Sequence, residues 1–261
     1  MRFRLVVLIA CFSISLCEIR AQGTDPQGKI LTEIGVDQHL RAQAPLDLLF
    51  YDESGGEVRL NNYFHGKPVV LSLVYYDCSM LCSMTLNGLT KALRALSFSV
   101  GDEFEVLTIS FDPRDTPSVS TAKRTTYLKE YGRAGAASGW HFLTGGGESI
   151  KALTDAVGYR YKWDRYTNQW AHVPAIIVLT PDGRVSQYLY GLEFSARDLR
   201  LSLIQASQRK IGTIVDHAVL YCYHYDPASG RYGFAIMSVV RIAGLGAVLA
   251  LGLFIVRNRG I

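Results

Sequence analysis

The stretch Val69-Val70-Leu71-Ser72-Leu73-Val74-Tyr75-Tyr76-Asp77-Cys78-Ser79-Met80-Leu81-Cys82 decides how this chain folds. Its first seven residues form a nearly continuous apolar, β-rich run, the pattern of a strand covered on both faces. Beyond the cysteines, Leu86, Leu89, Leu93 and Leu96 recur at three- and four-residue spacing on one stripe, which predicts a helix to about Phe98. Cys78 and Cys82 therefore sit where a buried strand gives way to a helix. Unsatisfied backbone N–H groups and the helix dipole favour an anionic sulfur at that junction. Residues four apart on a helix share a face, and with the first in the turn the two sulfurs still converge. Such a pair forms a disulfide or grips a soft metal, thiolates selecting Cu(I) or Zn. Met80 and Met84 are soft too, and are read as core packing.

Working outward, residues 104–110 read as a second buried strand. Thr116 and Pro117 form an N-cap and first-turn pair opening a helix to about Tyr131. A third helix is expected over 148–157. Residues 46–51 and 57–60 flank Ser54-Gly55-Gly56 as a hairpin, and residues 175–179 and 185–190, joined by Thr180-Pro181-Asp182-Gly183-Arg184, form another. Residues 195–210 close the domain as a helix. Strands alternating with helices, followed by a hairpin and helix, predict an α/β sheet of βαβ type. No repeat or low-complexity stretch interrupts residues 22–230.

The 261 residues are 49% hydrophobic and 19% charged, which excludes a disordered chain. The formal charge is +4, yet its distribution removes any suggestion of a nucleic-acid surface. Residues 1–21 carry three basic residues against one acidic, and residues 234–261 carry three against none, leaving 21 basic against 22 acidic between them. Arg2 and Arg4 precede an apolar run over 5–16, and Ile19-Arg20-Ala21 ends it, which reads as a signal peptide over 1–21. Leu8-Ile9-Ala10-Cys11 also has the residue types of a lipoprotein box, although only six apolar residues, 5–10, precede Cys11. Residues 234–256 are apolar except for Arg241, long enough for a transmembrane helix. Arg257 and Arg259 in the tail 257–261 then face the cytoplasm, and the tyrosines of the juxtamembrane segment 213–233 lie at the opposite interface. Both ends give one topology: a domain outside the cytoplasm, tethered by its C-terminus.

Once a signal peptide is removed, Cys78, Cys82 and Cys222 remain, in a compartment that permits disulfides. A third ligand for the cysteine pair has to come from elsewhere in the chain. His172 is the candidate, 90 residues after Cys82 and just before Val173-Pro174 and the strand at 175. That X-Pro bond opening a strand resembles the cis-proline segment that faces the cysteine motif in thioredoxin-like folds. Cys222 and His224 point the same way on an extended segment and, with His217, form a speculative secondary site. Trp140, Trp163 and Trp170 read as core or rim aromatics.

The ordered set of Cys-x-x-x-Cys after a strand, Ser110-Phe111-Asp112-Pro113-Arg114-Asp115-Thr116-Pro117, Trp140-His141-Phe142-Leu143-Thr144-Gly145, His172 and Leu179-Thr180-Pro181-Asp182-Gly183 resembles the Sco/SenC family. The matches span roughly residues 35–210. The resemblance implies a thioredoxin-like domain over 46–212, after an N-terminal extension at 22–45. It implies one copper ion held by Cys78, Cys82 and His172, and a role in metallating the dinuclear copper centre of cytochrome c oxidase subunit II, by delivering copper or by reducing its cysteines. Asp112 is a loop and cap residue or lies near the metal. The family has proline after each cysteine, where this chain has Ser79 and Ser83, and many relatives are anchored at the N-terminus rather than the C-terminus.

Two functions follow as expectations. The first is a copper metallochaperone tethered in a bacterial inner membrane and facing the periplasm, with Cu(I), or Cu(II) with an added ligand, as its ion and the oxidase or a copper donor protein as partner. The second is a thiol:disulfide oxidoreductase in which Cys78 attacks and Cys82 resolves. The three-residue spacing counts against an efficient general exchanger. A peroxidase site of the peroxiredoxin type has threonine where this chain has Tyr75.

Overall fold

The computed structural model describes residues 30, 32–78, 81–211, 225–226, 231–232 and 244. The expected signal peptide, Cys222, His217, His224 and, apart from Gly244, the expected membrane span lie outside these residues. Among the described residues no helix is long and apolar enough to cross a membrane.

The apolar run becomes β4 (Val69–Val74), every residue of which is buried. It is preceded by β1 (Gly35–Val36) and by the hairpin of β2 (Leu49–Tyr51) and β3 (Glu57–Arg59). Then come α1 (Leu81–Ala95), β5 (Glu105–Ser110), α2 (Pro117–Tyr131), the single turn α3 (Ala136–Gly139) and β6 (Trp140–Leu143). The chain continues through α4 (Gly147–Ala156), β7 (Tyr159–Arg160), β8 (Lys162–Asp164), β9 (Gln169–Ala171), β10 (Ala175–Leu179), β11 (Val185–Tyr190) and α5 (Ala196–Ser207). Five strands form one sheet in the order β11-β10-β4-β5-β6, with β4, β5 and β6 parallel and β10 and β11 antiparallel. This is a thioredoxin-like mixed α/β fold.

Both faces of the sheet are covered, as the unbroken apolar strands require. Successive strand residues point to opposite faces. Gln187 accordingly accepts from Ser202 on α5, whereas its neighbour Tyr188 donates to the Val157 carbonyl at the end of α4. The leucine stripe of α1 is buried through Leu86, Leu89 and Leu93, and Leu96 continues it just past the helix end.

The hairpin β2–β3 lies against the far edge of the sheet. Tyr51 and Thr144 exchange backbone hydrogen bonds of 2.7 and 3.0 Å, and Glu53 at the turn accepts from the Phe142 amide at 2.8 Å. The edge strand β6 is thereby kept from pairing with other chains.

Several local expectations shift. Thr116 occupies the cap position, but its side chain makes no capping bond; Pro117 at the helix start and left-handed Gly132 at its end delimit α2. Met84 is exposed rather than core, because it lies on the face of α1 away from the leucine stripe. Val173-Pro174 is trans, no cis peptide occurring among the described residues. The parallel strand β6 and the hairpin β8–β9 are additional to the strands that the apolar pattern predicts.

Candidate metal centre

The sheet carries the site at the C-terminal ends of its parallel strands. After β4 the chain runs through Tyr75, Tyr76 and Asp77 to Cys78, and Cys82 lies in the first turn of α1. The loop is pinned by Asp115, whose carboxylate accepts the Tyr76 amide at 2.6 Å and the Ser110 hydroxyl. His172 arrives by register. Strand β10 pairs antiparallel with β4, Ile176 opposite Ser72 and Leu179 opposite Val69, so each residue backward along β10 moves one forward along β4. Continued, that register brings residue 172 level with residue 76.

The result is a tight group of donors. The Cys82 sulfur lies 3.1 Å from His172 Nε2 and accepts the Tyr75 amide at 3.4 Å, while the Cys82 amide donates to the Cys78 sulfur at 3.3 Å. Both thiols are free and buried, Cys78 at 7% exposure and Cys82 at 2%. The two sulfurs differ sharply in acidity. The hydrogen bond from the Cys82 side chain, assisted by Tyr75 and by the Cys82 amide, overcomes burial and brings the Cys78 thiol down to about 3. Burial, and then the neighbouring Cys78 sulfur, hold the Cys82 proton far above the usual thiol range. At neutral pH Cys78 is a thiolate and Cys82 a thiol.

His172, 5% exposed, has both ring nitrogens engaged. Its Nδ1 lies 3.0 Å from the Tyr159 hydroxyl and 3.3 Å from the Val173 carbonyl. Aromatic rings enclose it, Phe111 at 5.2 Å and Tyr75 at 6.0 Å between centroids, both edge-on.

Asp112 is buried beside this group, but its oxygens are already committed. Arg114 holds them through Nε at 2.9 and 3.1 Å and a terminal nitrogen at 2.6 Å, and Trp170 Nε1 donates at 2.8 Å. Burial opposes the charge on Asp112, yet these bonds together keep its carboxyl below the ordinary aspartate value. Trp170 lies on β9, two residues before His172, so Asp112 fixes the strand that delivers the histidine. Arg114 also stacks on Trp163 at 4.5 Å. Trp140 is wholly buried core, whereas Trp163 and Trp170 belong to the surroundings of the site.

Sequence reasoning missed Tyr159 and gave Arg114, Asp115, Trp163 and Trp170 no part in the site. Hydrogen-bonding aromatics on a short hairpin just before His172 were the available signal. Among the described residues no three His, Cys, Asp or Glu side chains close into a metal cage; the dithiol and imidazole form an open group. Its chemistry still suits a soft ion: one thiolate, one thiol that gives up its proton on ligation, and one imidazole nitrogen facing the sulfurs.

Fold and site together define a thioredoxin-like domain bearing a dithiol–histidine centre at the C-terminal edge of its parallel strands. A family model described as SCO1/SenC matches residues 42–204, more than half of the chain, and the chain belongs to that family. A candidate electron transfer protein from Aquifex aeolicus VF5 is 28% identical with a TM-score of 0.57, over 66% of this chain and 95% of its own. A candidate electron transport protein from the same organism is 27% identical at a TM-score of 0.54, over 66% and 99%. BsSco, described as a member of the Sco family of cytochrome c oxidase assembly proteins with a disulfide switch, shares the fold at 20% identity and a TM-score of 0.51, over 67% and 99%. No curated protein gives a significant match.

Proposed function

We propose that this chain binds one copper ion through Cys78, Cys82 and His172 and acts as a membrane-tethered metallochaperone in assembly of the dinuclear copper centre of cytochrome c oxidase. The observation that carries the reading is the 3.1 Å approach of His172 Nε2 to the Cys82 sulfur, with the Cys78 sulfur 3.3 Å from the Cys82 amide, inside a domain of the SCO1/SenC family. Copper is the cargo. The Cys78 thiolate supplies charge, Cys82 loses its proton on ligation, and neutral His172 completes a three-coordinate Cu(I) site; Cu(II) takes an added ligand. A sphere with few ligands suits handing the ion on to a richer site. The partner is the oxidase subunit II or a copper donor protein. The domain at 46–212 works on the periplasmic side of a bacterial inner membrane, after removal of residues 1–21 and anchored by 234–256. His217, Cys222 and His224, which precede that anchor in sequence, are proposed as a secondary copper site.

The test is titration of the reduced chain with Cu(I) against a competing chelator, alongside His172→Ala. One tight equivalent is expected, much weakened without His172. Affinity indifferent to His172, with the cysteines still exchanging disulfides, sinks the copper reading.

A second reading, thiol:disulfide oxidoreductase, is favoured by the unequal acidities of the two sulfurs. Thiolate Cys78 attacks a partner disulfide, one partner sulfur leaves, and Cys82 then displaces the other, leaving the Cys78–Cys82 disulfide and a reduced partner. A thiolate as acidic as Cys78 is a weak nucleophile, so this exchange is slow.

A further inference from the structure

We infer that the Tyr159 hydroxyl locks the His172 ring as the Nδ1–H tautomer and aims its Nε2 lone pair at Cys82, making Tyr159 a positioning residue for the ion. The inference rests on the copper reading above and adds the group that prepares the histidine for it.

The assignment follows from which atoms can donate. The Tyr159 oxygen lies 2.8 Å from the Val173 carbonyl and 3.4 Å from the Leu73 carbonyl. A carbonyl oxygen only accepts, so the single hydroxyl proton goes to Val173, the nearer. The hydroxyl oxygen then meets His172 Nδ1 at 3.0 Å with its lone pairs, and Nδ1 must carry the proton between them. The Val173 carbonyl, at a longer 3.3 Å from the same Nδ1, is consistent with that proton but is the weaker acceptor. With Nδ1 protonated, the neutral ring presents a bare Nε2 to the Cys82 sulfur 3.1 Å away. That is the nitrogen a metal needs, and an outer partner on the other nitrogen commonly decides which one it is.

The backbone is built to place this hydroxyl. Tyr159 is 2% exposed and opens β7, which pairs with β1 through Val36. Gly158 before it has φ +67°, and a Cβ there would lie 1.8 Å from the Asp37 carbonyl oxygen; the Asp37 amide in turn donates to Gly158 at 2.8 Å. Only glycine admits that approach. Phe111 touches both rings, 6.0 Å from Tyr159 and 5.2 Å from His172, so neither can tilt freely.

The experiment uses the reduced, metal-free full-length chain with ring-15N histidine. A long-range 1H–15N spectrum of the wild type, with His172 assigned by its loss in His172→Ala, is expected to show the proton on Nδ1. A proton on Nε2 overturns the inference without any Tyr159 variant, so misfolding of a mutant cannot hide the answer. Tyr159→Phe keeps the ring and removes only the hydroxyl. It is expected to mix the tautomers and, in Cu(I) competition, to lower affinity by roughly 10- to 100-fold. In the His172→Ala background the same substitution is expected to change affinity little. An unchanged His172 spectrum in Tyr159→Phe, or an affinity loss that persists in full without His172, overturns it. If the wild type binds no Cu(I), the copper reading fails while the spectrum still decides what Tyr159 does to His172.

Discussion

Two histidines, His172 and His141, sit in the same domain and do opposite work. His172 lies at the C-terminal edge of the parallel strands, sealed among aromatic rings, with a sulfur on one nitrogen and a tyrosine hydroxyl on the other. His141 lies on edge strand β6. Its Nε2 meets the Ser138 carbonyl at 3.2 Å, its Nδ1 is 3.8 Å from the Glu53 carboxylate, and its ring packs on Tyr63 at 4.5 Å. Arg124 joins the same carboxylate at 3.0 Å. The second cluster is a clamp that fastens the β2–β3 hairpin to the sheet. What the free nitrogen faces separates the two: a soft sulfur suits His172 to the ligand role proposed for it, whereas a carboxylate already held by arginine makes His141 a brace.

The contrast breaks first at Cys82. Cys82→Ala is expected to abolish tight Cu(I) binding, and His141→Ala to leave it unchanged; equal losses in chelator competition would erase the distinction. Next, Trp140→Ala beside the clamp is expected to destabilise the fold by about 3–5 kcal/mol, measured by urea denaturation, because a fully buried indole leaves a cavity. The reactivity of Cys78 sharpens the other side. With its thiol at about 3, alkylation of Cys78 by iodoacetamide, located by mass spectrometry, is expected to stay flat from pH 8 to 5. A rate falling tenfold per pH unit over that range would show an ordinary thiol.

The smallest effect belongs to His141. Burial depresses its pKa below the usual 6.5, outweighing the pull of Glu53 and the Ser138 carbonyl. The unfolded chain therefore takes up the proton first, so the contribution of His141 to folding stability is constant above about pH 6.5 and falls as pH drops below it. His141→Gln is expected to flatten that fall in thermal melts run from pH 7.5 to 5.5; an unaltered slope would remove His141 as its source.

Where hydrophobic period is strong, the sequence is enough to place an element. Residues 69–74, 105–110, 175–179 and 185–190 all lie in strands close to where their apolar runs predict. The short hairpin 162–171 is different, for its aromatic and polar residues show no clean alternation, and Arg114, Asp112 and Phe111 pack against it through Trp163 and Trp170. Asp112 is legible in sequence as a loop aspartate, while its bond to Trp170 joins residues 58 apart, beyond any local pattern.

By itself the sequence determined that two cysteines follow a buried strand at the head of a helix, because apolar period and turn chemistry are local. It also marked His172 as the histidine before the terminal hairpin. Which nitrogen of that histidine faces sulfur, which cysteine is the thiolate, and that Tyr159 and Trp170 hold the ring and its strand were decided only by tertiary structure. Those properties depend on hydrogen-bond geometry and desolvation among groups that the β4–β10 register and the β7 turn bring together, and no spacing along the chain encodes them.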